Sequence, residues 1–220
     1  MSTEQFEQAG KQWLKATWDA KYLYSFTWMG QPILQLPDDL IRLQEIIYKM
    51  RPDRIIETGV AHGGSIVFFA SLLYSLGRGL VLGIERGLLD TTKDAIATHA
   101  LGDYMRLIEG DSVNQDVVDY VSSFLDSRKR VFVFLDSDHS YAHVRKELEL
   151  YSPFVTPGSY IIACDGIIGD LVGHARVPAD AATNNATAAA DDFLATHPEF
   201  ERVTFNSPTY FRGGWLRRKM

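Results

Sequence analysis

The 220-residue chain has a single cysteine, Cys164, so no intramolecular disulfide framework holds it together. That agrees with a reducing compartment and points to the cytoplasm. Long apolar runs are also missing; the longest are strand-sized, far below the ~20 residues of a membrane helix. The opening MSTEQFEQAGKQW has neither the basic start nor the apolar run of a signal peptide. Positive charge is scarce, with 22 Lys and Arg against 28 Asp and Glu. A net charge of -6 removes the basis for non-specific nucleic-acid binding, which rests on cations neutralising phosphates. Three motifs are absent as well. No GK[ST] follows a glycine-rich turn, no G-x-G-x-x-G appears, and no G-x-S-x-G elbow occurs. P-loop, dinucleotide and serine-hydrolase readings therefore lose their main support.

What is present is an alternating pattern. DRIIETG, GLVLGIE, MRLIEG, RVFVFLD and SYIIACD read as strands, with helical segments SIVFFASLLYSLG, LDTTKDAIATHA, NQDVVDYVSSFLDS and YAHVRKELELYSPFV between them. Short β-branched runs separated by helices predict a mostly parallel sheet covered on both faces. DDFLATHPEF reads as a further helix, and FERVTFN with TYFRGGWLRRK as a closing hairpin at one sheet edge. Residues 1–50, with the helix-like FEQAGKQWLKATWD and DDLIRLQEIIYKM, form an N-terminal segment that packs on the core at 51–220. Residues 171–184 read as a loop, a lid over the site. Of the aromatic stretch before Pro37, Trp28 and Gln31 are the candidates for lining a pocket.

Ligands of open α/β sheets gather outside the carboxyl ends of the strands. Here those ends carry Glu57, Glu85, Asp111, Asp136 and Asp165. Singly, each has a structural reading: Asp111 is as readily a helix cap, and Glu85 a salt-bridge partner of Arg86 or Arg51. As a set they point to a ligand, because carboxylates are costly to leave unpaired at a core edge. In the turn ETGVAHGGS, Gly59 permits a sharp bend, and Gly63 and Gly64 allow close approach to the next helix. Ser65 can cap that helix, whose free N–H groups attract an anion. A cofactor with a carboxylate for the turn, an ammonium for Glu57 and ribose hydroxyls for Glu85 fits, and S-adenosylmethionine has all three.

FLDSDHSY places Asp136, Asp138 and His139 at one strand end, and ACDG places Asp165 at the next. Oxygen ligands from adjacent strand ends suit Mg²⁺, which would lower the pKa of an acceptor hydroxyl. His139 is the nearest base. His143, Asp138 and Asp165 make an alternative zinc set, although zinc prefers more histidine or cysteine. Cys164 is a soft ligand or, more simply, a buried thiol.

The stretches YLYSFTWMGQPILQLPDDLIRLQEIIYKMRPDRIIETGVAHGGS and FLDSDHSYAHVRKELELYSPFVTPGSYIIACDG resemble the cephalosporin hydroxylase family, from about Tyr22 to the final GWLRR. The resemblance implies a Rossmann-like class I methyltransferase fold with a seven-stranded sheet. It also implies O-methyl transfer from S-adenosylmethionine to a small-molecule hydroxyl, in antibiotic, sugar or other secondary pathways. Glu57, Gly59, Ala61, His62, Gly64 and Ser65 would surround the methionine part of the cofactor. Glu85 and Arg86 would lie at the ribose, Asp111 and Ser112 beside adenine, and Asp136 along the same wall. The metal ligands would be Asp138, Cys164 and Asp165, with Asp136 as the other choice for the loop carboxylate. Here the chain departs from the pattern it resembles, because Cys164 stands where an acid is expected. His139, Asp138 and Asp165 would be catalytic, and a homo-oligomer through the N-terminal helices is implied. Two alternatives remain open: a hydroxylase or its supporting protein, and a binding or assembly protein that has lost turnover.

Overall fold

The computed structural model describes residues 3–125 and 129–220. A helix, α1 (Thr3–Asp19), is followed by a small hairpin, β1 (Thr27–Trp28) and β2 (Gln31–Pro32), and by α2 (Pro37–Met50). Pro37 opens α2 with Asp38 and Asp39 in its first turn, both favourable at the positive end of a helix. The chain then alternates through β3 (Arg54–Thr58), α3 (Gly64–Leu76), β4 (Leu80–Glu85), α4 (Asp90–Thr98), β5 (Met105–Glu109) and α5 (Gln115–Phe124). It continues through β6 (Val131–Leu135), α6 (Tyr141–Tyr151), β7 (Tyr160–Ala163), α7 (Ala186–Thr196), β8 (Phe200–Arg202) and β9 (Trp215–Arg218). The predicted helix ending at Ser127 runs past Phe124 into residues 126 and 127, which lie outside the described residues.

The main sheet has seven strands in the order β5-β4-β3-β6-β7-β9-β8. Strands β5, β4, β3, β6 and β7 are mutually parallel, while β9 runs antiparallel to both neighbours. This is the Rossmann-like arrangement expected of the class I methyltransferase fold. Strand β6, VFVFL, is buried throughout, and its alternation divides the core. Phe132 and Phe134 join the α2–α3 layer, whereas Val131, Val133 and Leu135 join the layer of α5, α6 and α7.

The closing hairpin forms, but with shorter strands than predicted. Residues 203–214 instead loop back toward the sheet centre, where buried Asp39 accepts from the Thr209 hydroxyl (2.5 Å) and the Tyr210 N–H (2.9 Å). Burial pushes the Asp39 carboxyl up to about 7 against those two donors. Helix α7 starts earlier than the predicted Asp191, because Asn185 caps it by accepting from the Ala188 N–H at 2.9 Å. Among the described residues, no helix is long and apolar enough to cross a membrane.

Candidate active site

The chain passes outward from β3 to β4 and β5, then returns to β6 on the other side of β3. Next to that reversal, at the carboxyl ends of the strands, lies a cleft of about 410 Å³, within the usual range for small-ligand sites. Gly59, Ala61, His62, Gly64 and Ser65 form one wall. Glu85 and Arg86 stand beyond β4, and Asp111 and Ser112 beyond β5. Asp136, Asp138, His139 and Asp165 complete the floor and far rim.

Gly59 adopts φ 80°, and a Cβ there would stand 2.2 Å from the Asp136 carbonyl oxygen, so only glycine lets β3 and β6 part at this point. The space beside Gly64 is filled by the protein itself. A Cβ would meet the Pro32 carbonyl oxygen at 2.2 Å, and at Gly63 it would meet Ile96 at 3.1 Å. The glycine pair thus admits the β2 segment and α4 rather than a ligand, correcting the sequence-based reading. Ser65 is not the cap of α3; Gly63 holds that position, and Ser65 sits in the first turn near Glu57.

Glu85 makes no ion pair with Arg86 or Arg51 among the described residues. Its Oε2 accepts from the N–H groups of Val60 (2.9 Å) and Ala61 (3.0 Å), and its Oε1 from Gly87 (3.2 Å). Burial works to raise its pKa, but these N–H groups outweigh it and hold the carboxyl below its usual range. An ionised carboxylate therefore faces the cleft where a ribose would lie. Glu57 is the opposite case. It is wholly buried beneath the turn, and neither carboxylate oxygen has a partner within hydrogen-bond geometry among the described residues, the Ser65 hydroxyl being the polar group beside it. Burial pushes it up to about 8, with the Ser65 hydroxyl opposing and the Glu85 charge adding to the rise. An unpartnered acid at this depth suits a cationic ligand group in the cleft above it.

The expected metal set of Asp138, Cys164 and Asp165 is not assembled. Cys164 is fully buried and does not line the cleft. Burial, with the charges of Asp136 and Asp165, pushes its thiol well above the ordinary range and keeps it protonated. Asp138 turns into its own loop, where Oδ1 accepts from the Ser140 N–H at 2.8 Å. Asp136, the other choice, is half-buried on the cleft floor, and its Oδ2 accepts from Gln35 Nε2 at 2.7 Å. Burial first, then the charges of Asp165 and Glu57, raise its pKa well above normal. Asp165 faces His139 instead, with Oδ2 3.4 Å from Nε2. Among the described residues, no group of three or more His, Cys, Asp or Glu is placed to hold a metal ion. The three ligands that the resemblance implied, Asp138, Cys164 and Asp165, are therefore not brought together; of the carboxylates on the cleft, Asp136 and Asp165 are the pair whose charges act on each other.

Asp111 does not cap α5; its Oδ1 accepts from the Val113 N–H at 3.1 Å. Trp28 packs edge-on against Phe68 and donates to Ser71, and neither it nor Gln31 lines the cleft. The sequence reading missed several residues that do. Gln35 carried no signal. His143 was considered only as a zinc ligand, yet it lies 3.2 Å from the Ser112 hydroxyl, 3.1 Å from the Ser137 hydroxyl and 3.5 Å from the buried Glu147 carboxylate. The pair's i,i+4 spacing was its legible signal. Trp18, Lys21, Arg176 and Tyr210 form the remaining wall.

The fold and the acid-rimmed cleft define a Rossmann-like α/β protein with a ligand site at its strand ends. The chain belongs to the family described as Rhamnosyl O-methyltransferase/CmcI, which matches residues 20–219. It is 30% identical over 154 residues to the rhamnosyl O-methyltransferase of Mycobacterium leprae (strain TN), covering 69% of this chain and 64% of that one. Against the rhamnosyl O-methyltransferase of Mycobacterium tuberculosis (strain ATCC 25618 / H37Rv) the identity is 28%, covering 69% and 60%. The chain thus spans less than two thirds of the length of these relatives. A solved structure described as cmcI-D160 Mg-SAM superposes with a TM-score of 0.63 at 19% identity, covering 90% of this chain and 78% of that one. The MycE methyltransferase of the mycinamycin pathway, in complex with Mg, SAH and mycinamycin VI, gives 0.56 at 16%, covering 83% and 49%. At these identities the structural likeness is one of fold.

Proposed function

We propose that the protein is an S-adenosylmethionine-dependent O-methyltransferase acting on a hydroxyl of a small molecule, a sugar or secondary metabolite. One observation carries this reading: a single cleft runs from Glu85 past Gly59 to Asp136, Asp165 and His139, with cofactor-type and acceptor-type residues on one surface. The family membership supports it over a hydroxylase or a non-catalytic assembly protein.

When bound, S-adenosylmethionine supplies an electrophilic methyl group on a sulfonium sulfur. Glu85 binds the ribose, the Gly59–Ser65 turn receives the methionine part, and Glu57 answers its ammonium from below. Asp111 and Ser112 border the adenine, with His143 behind Ser112. His139 receives the acceptor's proton as its oxygen bonds to the methyl carbon and the carbon–sulfur bond breaks. Asp165 faces the His139 Nε2 and orients the ring. Holding both reactants in line is the larger part of the acceleration. No step is assigned to a metal.

The segment 171–184 serves as the lid on the acceptor side, closed against the N-terminal segment. The reading keeps a cytoplasmic homo-oligomer assembled through α1, where Phe6 and Trp13 are exposed, with no nucleic-acid or membrane partner. The test is release of S-adenosylhomocysteine from S-adenosylmethionine with a panel of glycosides and phenols. Acceptor-dependent release with the methyl group on oxygen supports the proposal. Tight cofactor binding without release to any acceptor favours the assembly protein.

A further inference from the structure

Apart from Arg86 beyond β4, the cleft is divided by charge. Its floor and far rim carry Asp136, Asp138 and Asp165, whereas the wall made by the end of α1 and the 171–184 segment carries Lys21 and Arg176. Neither cation has a carboxylate partner among the described residues. The acids nearest in sequence are engaged elsewhere: Asp19 by His174 (3.0 Å), Asp170 by Arg212, and Asp180 by Asn184 (2.8 Å).

Both cations are exposed and sit on strained backbone. Lys21 and Arg176 adopt φ 52° and φ 69°, in the left-handed region where glycine is at ease and other residues are strained. Lys21 lies just past the end of α1, where glycine is the usual occupant of such a conformation. Two other strained non-glycine residues, Ala61 and Asp165, line the same cleft. Strain of this kind persists where a side chain is needed.

Arg176 is the more constrained of the two. Its guanidinium lies 5.2 Å from the centre of the Trp18 ring and donates through Nη2 to the Trp18 carbonyl. The Trp18 indole N–H in turn donates to the Ala175 carbonyl at 3.2 Å. This clasp fixes the plane of the guanidinium and leaves most of its donors free, the state that suits a planar oxyanion. In a chain of net charge -6, an unpaired Lys–Arg wall facing acids across a cleft is a local reversal of field.

We infer that the methyl acceptor carries an oxyanion, a carboxylate or a phosphate, which Lys21 and Arg176 hold on the α1 wall. The hydroxyl to be methylated then points across the cleft toward Asp165 and His139. This narrows the proposed acceptor class from hydroxyl-bearing small molecules in general to acidic ones, and it rests on the methyltransferase reading above.

The test is titration of glucuronate, glucose 6-phosphate, glucose and L-rhamnose into protein saturated with S-adenosylhomocysteine, followed by calorimetry or ligand-observed NMR. At least one anion is expected to bind about tenfold or more tighter than the neutral sugars, as a charge-assisted pair allows, with the margin shrinking as salt is added. Which anion binds tells a carboxylate acceptor from a phosphate one. In Lys21→Gly/Arg176→Gly the margin is expected to vanish while the protein stays folded, because relief of two strained positions offsets the lost Arg176–Trp18 contacts. Equal binding of charged and neutral sugars, no binding of either anion, or a preference that survives in the double variant overturns the inference. Weakened S-adenosylhomocysteine binding in Lys21→Gly also overturns it, since Lys21 would then hold the cofactor's own carboxylate. Failure of the unaltered protein to bind S-adenosylhomocysteine at all would instead sink the methyltransferase reading.

Discussion

Nε2 of Gln35 donates a 2.7 Å hydrogen bond to Oδ2 of Asp136, joining the segment before α2 to the end of β6 at the floor of the cleft. The bond gives buried Gln35 a partner and ties the Oδ2 of half-buried Asp136 to the protein. Gln35→Leu is expected to destabilise the fold by about 1 kcal/mol, the net contribution of one hydrogen bond to a half-buried group. Chemical denaturation would measure it; a change within error would mean that Asp136 finds another donor.

Glu85 holds the β3–α3 turn as well as facing the cleft, so its removal acts twice. Glu85→Ala is expected to weaken S-adenosylhomocysteine binding by about tenfold or more and to lower stability, because the Val60, Ala61 and Gly87 N–H groups lose their acceptor. Calorimetry with a parallel melting curve separates the two effects. Unchanged affinity would reject the ribose role.

The buried Glu57 gives the cofactor-free protein a definite pH response. Its folded pKa, about 8, lies above the ordinary 4.5, so the folded chain holds a proton that the unfolded chain releases between those values. Stability therefore falls as pH rises through that window. Glu57→Gln is expected to flatten this slope, raising the melting temperature at pH ~9 by several degrees relative to the unaltered protein, with little change at pH ~4. It should also weaken cofactor binding, because the neutral amide cannot answer an ammonium. Asp39 and Asp136, shifted the same way, keep the slope from disappearing.

His139→Ala is expected to lower methyl transfer by ~10²-fold or more and to alter its pH profile, with cofactor affinity unchanged. Asp165→Asn should lower transfer less, through the orientation of His139. A rate profile unmoved in His139→Ala would leave that residue a structural histidine.

Chelation bears on the missing metal set. With Cys164 sealed and Asp138 bonded to Ser140, removing divalent ions is expected to leave turnover and cofactor affinity unchanged. Turnover abolished by a chelator and restored by Mg²⁺ would contradict that.

The parallel sheet, its covering helices and the acids at the strand ends were legible because period, punctuation and strand-end position are local signals. The identity of the acids did not reveal their state. Glu57 and Glu85 close neighbouring strands, yet one is buried without a partner and the other is ringed by N–H groups, a difference made by long-range packing. The role of Gly64 was misread because the Pro32 carbonyl that fills its space comes from far along the chain. Asp138 looked like a ligand by spacing, but a local turn bond to Ser140 directs it elsewhere. The Lys21–Trp18–Arg176 wall had no sequence pattern at all, because it brings the end of the first helix against a loop near residue 176.

The most direct test of the central claim is calorimetric titration of the protein with S-adenosylmethionine and S-adenosylhomocysteine, with and without Mg²⁺. The account predicts saturable binding of both ligands, unchanged by the metal. No binding of either would contradict it.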